Sequence, residues 1–292
     1  MQLKKITRRE AMLSIATISA GALIKPSPIF CQPAKNTLRF AVIGDWGTGD
    51  RHQLAIVRQM VNSHQRSPLD FIITAGDNIY PNGSGRYFGK HFESPFASLL
   101  KDGINFYTVL GNHDVHAGRQ DQCQYPLFNM GGASYYRLER GDGLTEFFLL
   151  DSTNFVRTQA AWLENSLRDS KAVWKIAVFH HPIYSSGTKH GSDLGLRKQL
   201  EPLFARYGVD VALSGHDHIY ERTKPQQGVR YFVSGAGGEV RRGDVRPGSS
   251  FTAASFDDDN HFMVFEAMDS EIRFQAISGR GAVVDSGSFA RS

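Results

Sequence analysis

Polar residues suited to metal chemistry follow five short apolar runs along the chain. They are Asp45, Asp77 with Tyr80, Asn112 with His113, His180, and His216 with His218. In four of the five cases a glycine directly precedes the first polar residue, and glycine lets the backbone turn sharply and approach a bound ion closely. Carboxylate and amide oxygens suit hard cations, imidazole suits iron, zinc or manganese, and phenolate favours ferric iron. The pattern therefore predicts a metal centre.

These donors are numerous enough to hold two cations that share one carboxylate. Asp77 has two oxygens and can bridge two ions, and Tyr80 stands three residues after it. A free phenol titrates near ~10, so a tyrosine ionises at neutral pH only beside a strong Lewis acid. Two ions about 3.5–4 Å apart can clamp a phosphate, activate water and stabilise a leaving oxygen. We therefore expect a two-metal hydrolase.

The apolar runs themselves predict the strands that position these residues. Continuous apolar stretches, typical of parallel strands buried on both faces, occupy 38–43, 71–74, 106–110, 174–179 and 209–213. Predicted helices lie at 51–64, 159–167 and 194–206, and we expect residues 86–101 to include a short helix. Strands that alternate with helices in this way indicate parallel pairing through right-handed crossovers. Side chains beyond the carboxyl ends of such strands face a common crevice.

The rest of the chain predicts further strands of a different kind. A Gly-Asp-Gly turn within 139–144 indicates a hairpin of strands 134–138 and 145–150. Short strands are predicted at 229–233, 262–267 and 272–277, with a polar loop over 235–260. We therefore predict an α/β (α+β) fold in which one domain, residues 35–292, packs mixed sheets between helices.

Several short motifs resemble those of the calcineurin-like metallophosphoesterases. These motifs are Gly44-Asp45, Gly76-Asp77-Asn78, Gly111-Asn112-His113-Asp114, the turn at His180 and Gly215-His216-Asp217-His218. Three flanking segments are similar to the small, tartrate-resistant type of purple acid phosphatase: Gly44-Asp45-Trp46-Gly47, Asn78-Ile79-Tyr80 and Ser234-Gly235-Ala236-Gly237. The resemblance extends over about residues 38–240, and Tyr80 is its most specific mark.

The resemblance implies a sandwich of two mixed β-sheets flanked by helices, and a defined set of metal ligands. A ferric ion would bind Asp45, Tyr80 and His218, a divalent ion (Fe, Zn or Mn) would bind Asn112, His180 and His216, and Asp77 would bridge the two. The resemblance selects His180 rather than His181, which the residue types alone leave open. It also implies His113 and His190 as catalytic histidines.

The implied activity is that of an acid phosphatase on small phosphomonoesters, in which a metal-bound hydroxide attacks phosphorus. His113 would protonate the leaving oxygen or steady the transition state. A phosphodiesterase of the same superfamily, acting on nucleotides, nucleic acid or lipid, is the main alternative, and Tyr80 argues against it. A binding or scaffolding protein with a dead site is a further alternative, which the complete set of ligands disfavours.

The first 34 residues have the composition of an export signal. They contain five basic residues and one acidic residue, which accounts for the whole formal charge of +4. Arg8-Arg9 precedes an apolar run over 11–24 and resembles a twin-arginine signal. That run is shorter than the ~20 residues of a membrane span, so we expect an exported periplasmic or secreted protein without a permanent anchor.

The remaining residues are close to electrical neutrality, which disfavours nucleic acid as a partner. Cys31 and Cys123 are the two cysteines, and their pairing depends on where the signal is cleaved. Trp46 either walls the site or packs in the core. For Arg241, Arg242 and Arg246, a solvated loop is favoured over a phosphate-attracting one. The sequence does not indicate an oligomeric state.

Overall fold

The computed structural model describes residues 37–291, and these residues form thirteen strands and six α-helices. The strands are β1 (Leu38–Ile43), β2 (Phe71–Thr74), β3 (Asn105–Thr108), β4 (Tyr136–Arg140), β5 (Thr145–Leu149), β6 (Trp174–Val178), β7 (Val211–Ser214), β8 (Tyr220–Thr223), β9 (Arg230–Ser234), β10 (Thr252–Phe256), β11 (His261–Ala267), β12 (Glu271–Ser278) and β13 (Val283–Ala290). The helices are α1 (Arg51–Arg66), α2 (Ala97–Lys101), α3 (Asp114–Ala117), α4 (Arg119–Gln124), α5 (Arg157–Asp169) and α6 (Leu194–Tyr207).

The strands build two mixed sheets. The first has the order β13-β12-β11-β1-β2-β3 and the second has the order β10-β8-β9-β7-β6-β5-β4. Strands β1, β2 and β3 run parallel, and so do β5, β6, β7 and β9. The parallel strands lie in the middle of the second sheet, whereas in the first sheet they form one side and β3 is the edge strand. The predicted metal ligands follow the carboxyl ends of β1, β2, β3, β6 and β7.

Side chains along the central strands alternate between the two faces of each sheet, and this explains why the sheets pack face to face. In β1, Phe40 and Val42 enter the core between the sheets, whereas Ala41 and Ile43 face the helical side of the first sheet. The Phe40 ring meets the Phe147 ring of the second sheet edge to face, with centroids 5.2 Å apart. This alternation places apolar side chains on both faces, as expected for strands covered on both sides.

Helices cover the outer face of each sheet. Helix α1 buries Ile56 and Met60 against the first sheet, and Asp50 caps its amino end by accepting from the backbone N–H groups of residues 52 and 53. Helices α5 and α6 bury Leu163 and Leu200 against the second sheet. The layers are therefore helix, sheet, sheet, helix, and the predicted fold class is confirmed.

Three strands differ from the prediction. The short helix predicted within 86–101 is α2, which follows a 3₁₀ turn and a π turn. Strands β8, β10 and β13 were not predicted, and β10 lies within the predicted polar loop. Strand β8 contains Glu221 and Arg222, and β13 has mostly exposed side chains. Strand β8 is buried but carries charged residues, and β10 and β13 are largely exposed or only partly buried, so none of the three shows a continuous apolar run.

The predicted export signal, residues 1–34, lies outside the described residues, as does the predicted start of the domain at residue 35. Both remain predictions. Between residues 37 and 291, none of the helices combines the length and the hydropathy needed to cross a bilayer.

Candidate metal centre

The predicted ligands come together where the central strands of both sheets end. Asp45 follows β1, Asp77 follows β2, His180 follows β6 and His216 follows β7. These strands belong to different sheets, so the residues meet only because the two sheets pack face to face. The loops are cross-linked by backbone hydrogen bonds, for example from Asp45 N to Gly76 O, 2.9 Å.

One side of the cluster, here named the phenol side, consists of Asp45, Tyr80 and His218. The Tyr80 hydroxyl lies 3.4 Å from Asp45 Oδ1 and 3.3 Å from His218 Nε2. His218 Nε2 lies 3.5 Å from the same carboxylate oxygen. The phenol side thus offers a carboxylate, a phenol and an imidazole around one small volume.

The opposite group, named the imidazole side, consists of Asn112, His180 and His216. His180 Nε2 lies 3.0 Å from Asn112 Oδ1 and 3.2 Å from His216 Nδ1. This side provides two imidazoles and an amide, and it contains no carboxylate of its own.

Asp77 connects the two sides. Its Oδ2 lies 3.2 Å from the Tyr80 hydroxyl and 3.5 Å from His180 Nε2. Its Oδ1 accepts a hydrogen bond from the backbone N–H of His113, 2.8 Å. Ligand atoms of Asp45, Asp77 and His180 all lie within 4.8 Å of one another. One carboxylate oxygen therefore reaches both sides while a backbone donor holds the other.

The backbone is strained where these side chains are aimed. Asp45, Asp77 and His216 have φ values of 54°, 48° and 71°, in the left-handed region that non-glycine residues seldom adopt. The glycines before ligands allow close approach. A Cβ on Gly111 would lie 2.1 Å from Asp77 Oδ1, and one on Gly215 would lie 2.4 Å from Asp45 Oδ2. The backbone thus adopts unfavourable conformations at these residues, and this brings the donor atoms together.

Burial shifts the acids and bases of the cluster toward their neutral forms. Burial, followed by the charge of Asp77, raises the pKa of Asp45 well above its usual value, and burial raises that of Asp77. Burial and the two carboxylates raise the pKa of Tyr80 well above 10. Burial, together with neighbouring imidazoles, lowers the pKa of His180 and His216. Burial thus keeps the two imidazoles in the neutral form that binds metal, whereas the carboxylates and the phenol need a nearby cation to favour their anionic ligand forms.

The chemistry of the donors fits a metal ion. His180 donates Nδ1–H to the Ala75 carbonyl, 2.9 Å, so the neutral ring carries a lone pair at Nε2. That lone pair faces Asn112 Oδ1 and His216 Nδ1, and acceptors in such contact repel unless a cation or a proton lies between them. A backbone carbonyl that orients the other ring nitrogen is a regular partner of metal-binding histidines. The residues form a metal-binding cluster.

The two predicted catalytic histidines flank different sides. The His113 ring packs against Tyr80 with centroids 4.6 Å apart, and its Nδ1–H donates to the Pro81 carbonyl, 2.8 Å. The His190 ring packs against His216 with centroids 4.1 Å apart. Both predicted positions therefore lie beside the cluster, one at the phenol side and one at the imidazole side.

Two nearby residues were given no role from the sequence. His181 lies 4.6 Å from His216 between ring centroids, and its Nδ1 is hydrogen-bonded to Ser152 Oγ, 2.9 Å. Asp114 is buried and accepts from the backbone N–H groups of Asn78, 3.0 Å, and Gly111, 2.8 Å, which ties the loops after β2 and β3 together. Asp114 belongs to the Gly-Asn-His-Asp motif, and that motif was the sequence signal from which its position at the site could have been predicted.

Trp46 packs in the core rather than lining the site. It is fully buried, and its ring meets Phe96 edge to face with centroids 5.2 Å apart. The choice that the sequence left open is thereby decided.

Comparisons with known proteins agree with this geometry. Purple acid phosphatase 17 of Arabidopsis thaliana is 30% identical to the chain over 86% of its length and 88% of that protein's. Tartrate-resistant acid phosphatase type 5 of Rattus norvegicus is 32% identical over 74% of this chain and 77% of that protein. Both relatives are similar over most of their length.

A protein that is not described as a phosphatase also has a similar fold. The solved structure of GAP50, described as the anchor in the inner membrane complex of Plasmodium, superposes with a TM-score of 0.76 and 24% identity, covering 88% of this chain and 90% of that one. At this identity the likeness shows a shared fold alone.

The family model described as calcineurin-like phosphoesterase matches residues 38–220, a range that begins with β1 and contains every residue of both sides of the cluster. Since that match covers more than half of the 292 residues, the chain belongs to the calcineurin-like phosphoesterase family.

Proposed function

We propose that the protein is a binuclear-metal acid phosphatase that hydrolyses small phosphomonoesters. The observation that carries the proposal is the position of Asp77, whose Oδ2 lies within 3.5 Å of donor atoms on both sides of the cluster. A carboxylate in that position can serve two cations at once. The similarity to proteins named as acid phosphatases supports the choice of substrate class.

Each side of the cluster would hold one ion. The phenol side would bind a ferric ion, because a phenolate is a hard anionic donor that favours it. The imidazole side would bind a divalent ion, iron, zinc or manganese, because neutral nitrogen donors suit these metals. Asp77 would bridge the two. Bound cations would supply Lewis acidity toward the phosphate and activate water as the nucleophile.

The two flanking histidines would act on the substrate directly. His113 uses Nδ1–H to hold the Pro81 carbonyl, so its Nε2 remains for the leaving oxygen of the ester. His190, which packs against His216 on the other side, would contact the phosphate there. A general acid in the first position contributes about 10²–10⁴ to the rate.

Elemental analysis combined with a visible spectrum and two chromogenic substrates tests this proposal. We expect about two metal ions per chain, iron among them, an absorption band from the phenolate-to-iron contact, and faster turnover of an aryl phosphomonoester than of the matching diester. A metal-depleted sample serves as the control. Preference for the diester would favour the phosphodiesterase alternative, and a purified protein that binds no metal would favour a non-catalytic role.

We further propose that the protein is exported in the folded state through the twin-arginine pathway to the periplasm or beyond. The support is the Arg8-Arg9 pair before an apolar run in residues 1–34. Replacing both arginines with lysine keeps the charge and should retain the protein inside the cell, as measured by fractionation. Unchanged export of this variant would indicate the general secretory route.

A further inference from the structure

The loop between β9 and β10, residues 235–251, is hydrogen-bonded to His218 of the metal centre and to the segment that directly precedes His190. The Arg241 backbone N–H donates to the carbonyl of His218, 3.0 Å. Asp244 accepts backbone hydrogen bonds from Thr188, 2.8 Å to its carbonyl, and from Lys189, 2.9 Å to its carboxylate. Residues 188 and 189 directly precede His190. The loop is therefore held in place beside both sides of the cluster.

Arg241 has an unsatisfied guanidinium in this loop. Its Nη1 is buried and has no hydrogen-bond partner. Among residues 37–291, no carboxylate lies within ion-pair distance of it. Buried charged donors are almost always paired, and an exception calls for a missing ion or ligand. Arg241 is partly exposed as a residue, so its buried Nη1 can be satisfied by water, an ion or a bound ligand.

The positive charge of Arg241 acts on His218 of the phenol side and on His190, which flanks the imidazole side. Burial lowers the pKa of His218 to about 4, and the charge of Arg241 is the next cause. Burial also lowers the pKa of His190, and the same charge contributes. The backbone hydrogen bond to His218 independently places Arg241 beside the phenol side, and its buried Nη1 has no partner there.

We propose that Arg241 binds the phosphoryl group of the substrate and thereby favours phosphomonoesters over phosphodiesters. This inference rests on the proposed function. A monoester has three terminal oxygens, so two can face the metal ions while the third accepts from the guanidinium. A diester has only two terminal oxygens and one negative charge. The fork of donors on arginine matches phosphate oxygens well.

The neighbouring arginines explain why the sequence did not single out this residue. Arg242 and Arg246 are exposed, as predicted for a solvated loop, and Arg242 Nε donates to the Asp258 carbonyl, 3.1 Å. Arg241 differs from them only in its position relative to the packed loops. Arg242 therefore provides a matched control, one residue away and of the same type.

The first test measures binding of inorganic phosphate to metal-loaded protein by calorimetry, in wild type and in the Arg241→Gln, Arg241→Lys and Arg242→Gln variants. Metal content is determined on the same samples. We expect Arg241→Gln to weaken phosphate binding about 10- to 100-fold, the range for loss of a charge-assisted hydrogen bond. The phosphate affinity of Arg241→Lys should lie between those of wild type and Arg241→Gln, because lysine keeps the positive charge but lacks the forked donors of arginine. Arg242→Gln should match wild type.

The second test compares aryl monoester and diester turnover in the same variants. Arg241→Gln should raise KM for the monoester about 10-fold or more while diester kcat/KM changes by less than about 3-fold. If Arg241→Gln fails to fold, the comparison of Arg241→Lys with wild type decides, because a purely structural charge would tolerate lysine.

Two results would overturn the inference. The first is phosphate affinity in the Arg241 variants equal to that of Arg242→Gln, and the second is loss of metal from the Arg241 variants, which would assign Arg241 to the metal centre rather than the substrate. Failure of the proposed function would look different, since wild-type protein would then bind phosphate in an Arg241-dependent way yet prefer diesters or turn over neither ester.

Discussion

The phenol side and the imidazole side lie next to each other but differ in the charge that they offer. The phenol side combines the carboxylate of Asp45 with the phenol of Tyr80, whereas the imidazole side has no anion of its own and shares Asp77. Asp45, His180 and His218 are buried, and Tyr80, Asn112 and His216 are partly exposed. This difference in charge supports the proposal of two unlike ions, with the more highly charged one on the phenol side.

The sides also differ in how the protein aims their ligands. On the phenol side, Asp45 is held by a backbone N–H of the neighbouring loop, from His216 to Oδ2, 2.8 Å. On the imidazole side, His180 is held by the Ala75 carbonyl at Nδ1. Anionic ligands are thus oriented by donors and neutral ligands by an acceptor. Each arrangement keeps the correct lone pairs pointed inward, which is the role expected of groups around a metal.

Replacing Asp77, which serves both sides, should have the largest effect. Asp77→Asn removes the shared charge while keeping the size of the side chain. We expect loss of metal from both sides and a fall in kcat greater than ~10²-fold, the cost of losing one positioned electrostatic group. Metal content per chain and turnover check this. Retention of two ions would mean that Asp77 does not join the sides.

Removal of His113 should separate chemistry from metal binding. In His113→Ala the backbone N–H that donates to Asp77 is kept, so only the imidazole beside Tyr80 is lost. We expect kcat to fall about 10²–10⁴-fold with unchanged metal content. His52→Ala, at an exposed position on α1, is the control. Full activity would exclude His113 from the reaction.

A third variant acts on the phenol side alone. Tyr80→Phe removes the phenol oxygen and should abolish the phenolate-to-iron absorption band, with iron affinity lowered and the divalent ion retained. The visible spectrum and elemental analysis measure these two outcomes. Persistence of the band in Tyr80→Phe would assign the colour to another ligand and remove the distinction between the sides.

The smallest effect is expected outside both sides, at His261. This residue is fully buried, its Nε2 lies 3.1 Å from Ser234 Oγ, and burial lowers its pKa to about 3. Between that value and the ordinary ~6.5, the unfolded chain binds a proton that the folded chain does not. The free energy of unfolding should therefore fall as pH drops through this range, by at most about 1.4 kcal/mol per pH unit.

Replacing His261 by glutamine should remove that contribution. Denaturant titrations of metal-loaded protein between pH 6.5 and 4 should give a shallower loss of stability in His261→Gln than in wild type. The exposed His52→Gln variant should keep the wild-type slope. Equal slopes in all three proteins would show that acid sensitivity comes from the metal centre and not from His261.

The sequence predicted the central strands and missed β8, β10 and β13 for one physical reason. Strands β1 and β2 were predicted to the residue because strands buried on both faces need continuous apolar side chains. Strand β8 carries Glu221, whose carboxylate accepts from the backbone N–H of Ser186, 2.6 Å, and so its charge is satisfied by a distant loop. No local pattern reports such a partner.

Site residues divide in the same way, into those that a local sequence pattern identifies and those that only tertiary packing identifies. Residues such as Asp45, Asp77 and His216 could be identified from the chain alone, because a glycine, a donor side chain and the end of an apolar run are neighbours in sequence. Arg241 could not, because its neighbour Arg242 has the same local chemistry. Packing of the loop against residues 186–189 and 218 buries Nη1 of Arg241 and leaves Arg242 exposed. Contacts between distant segments exist only after folding.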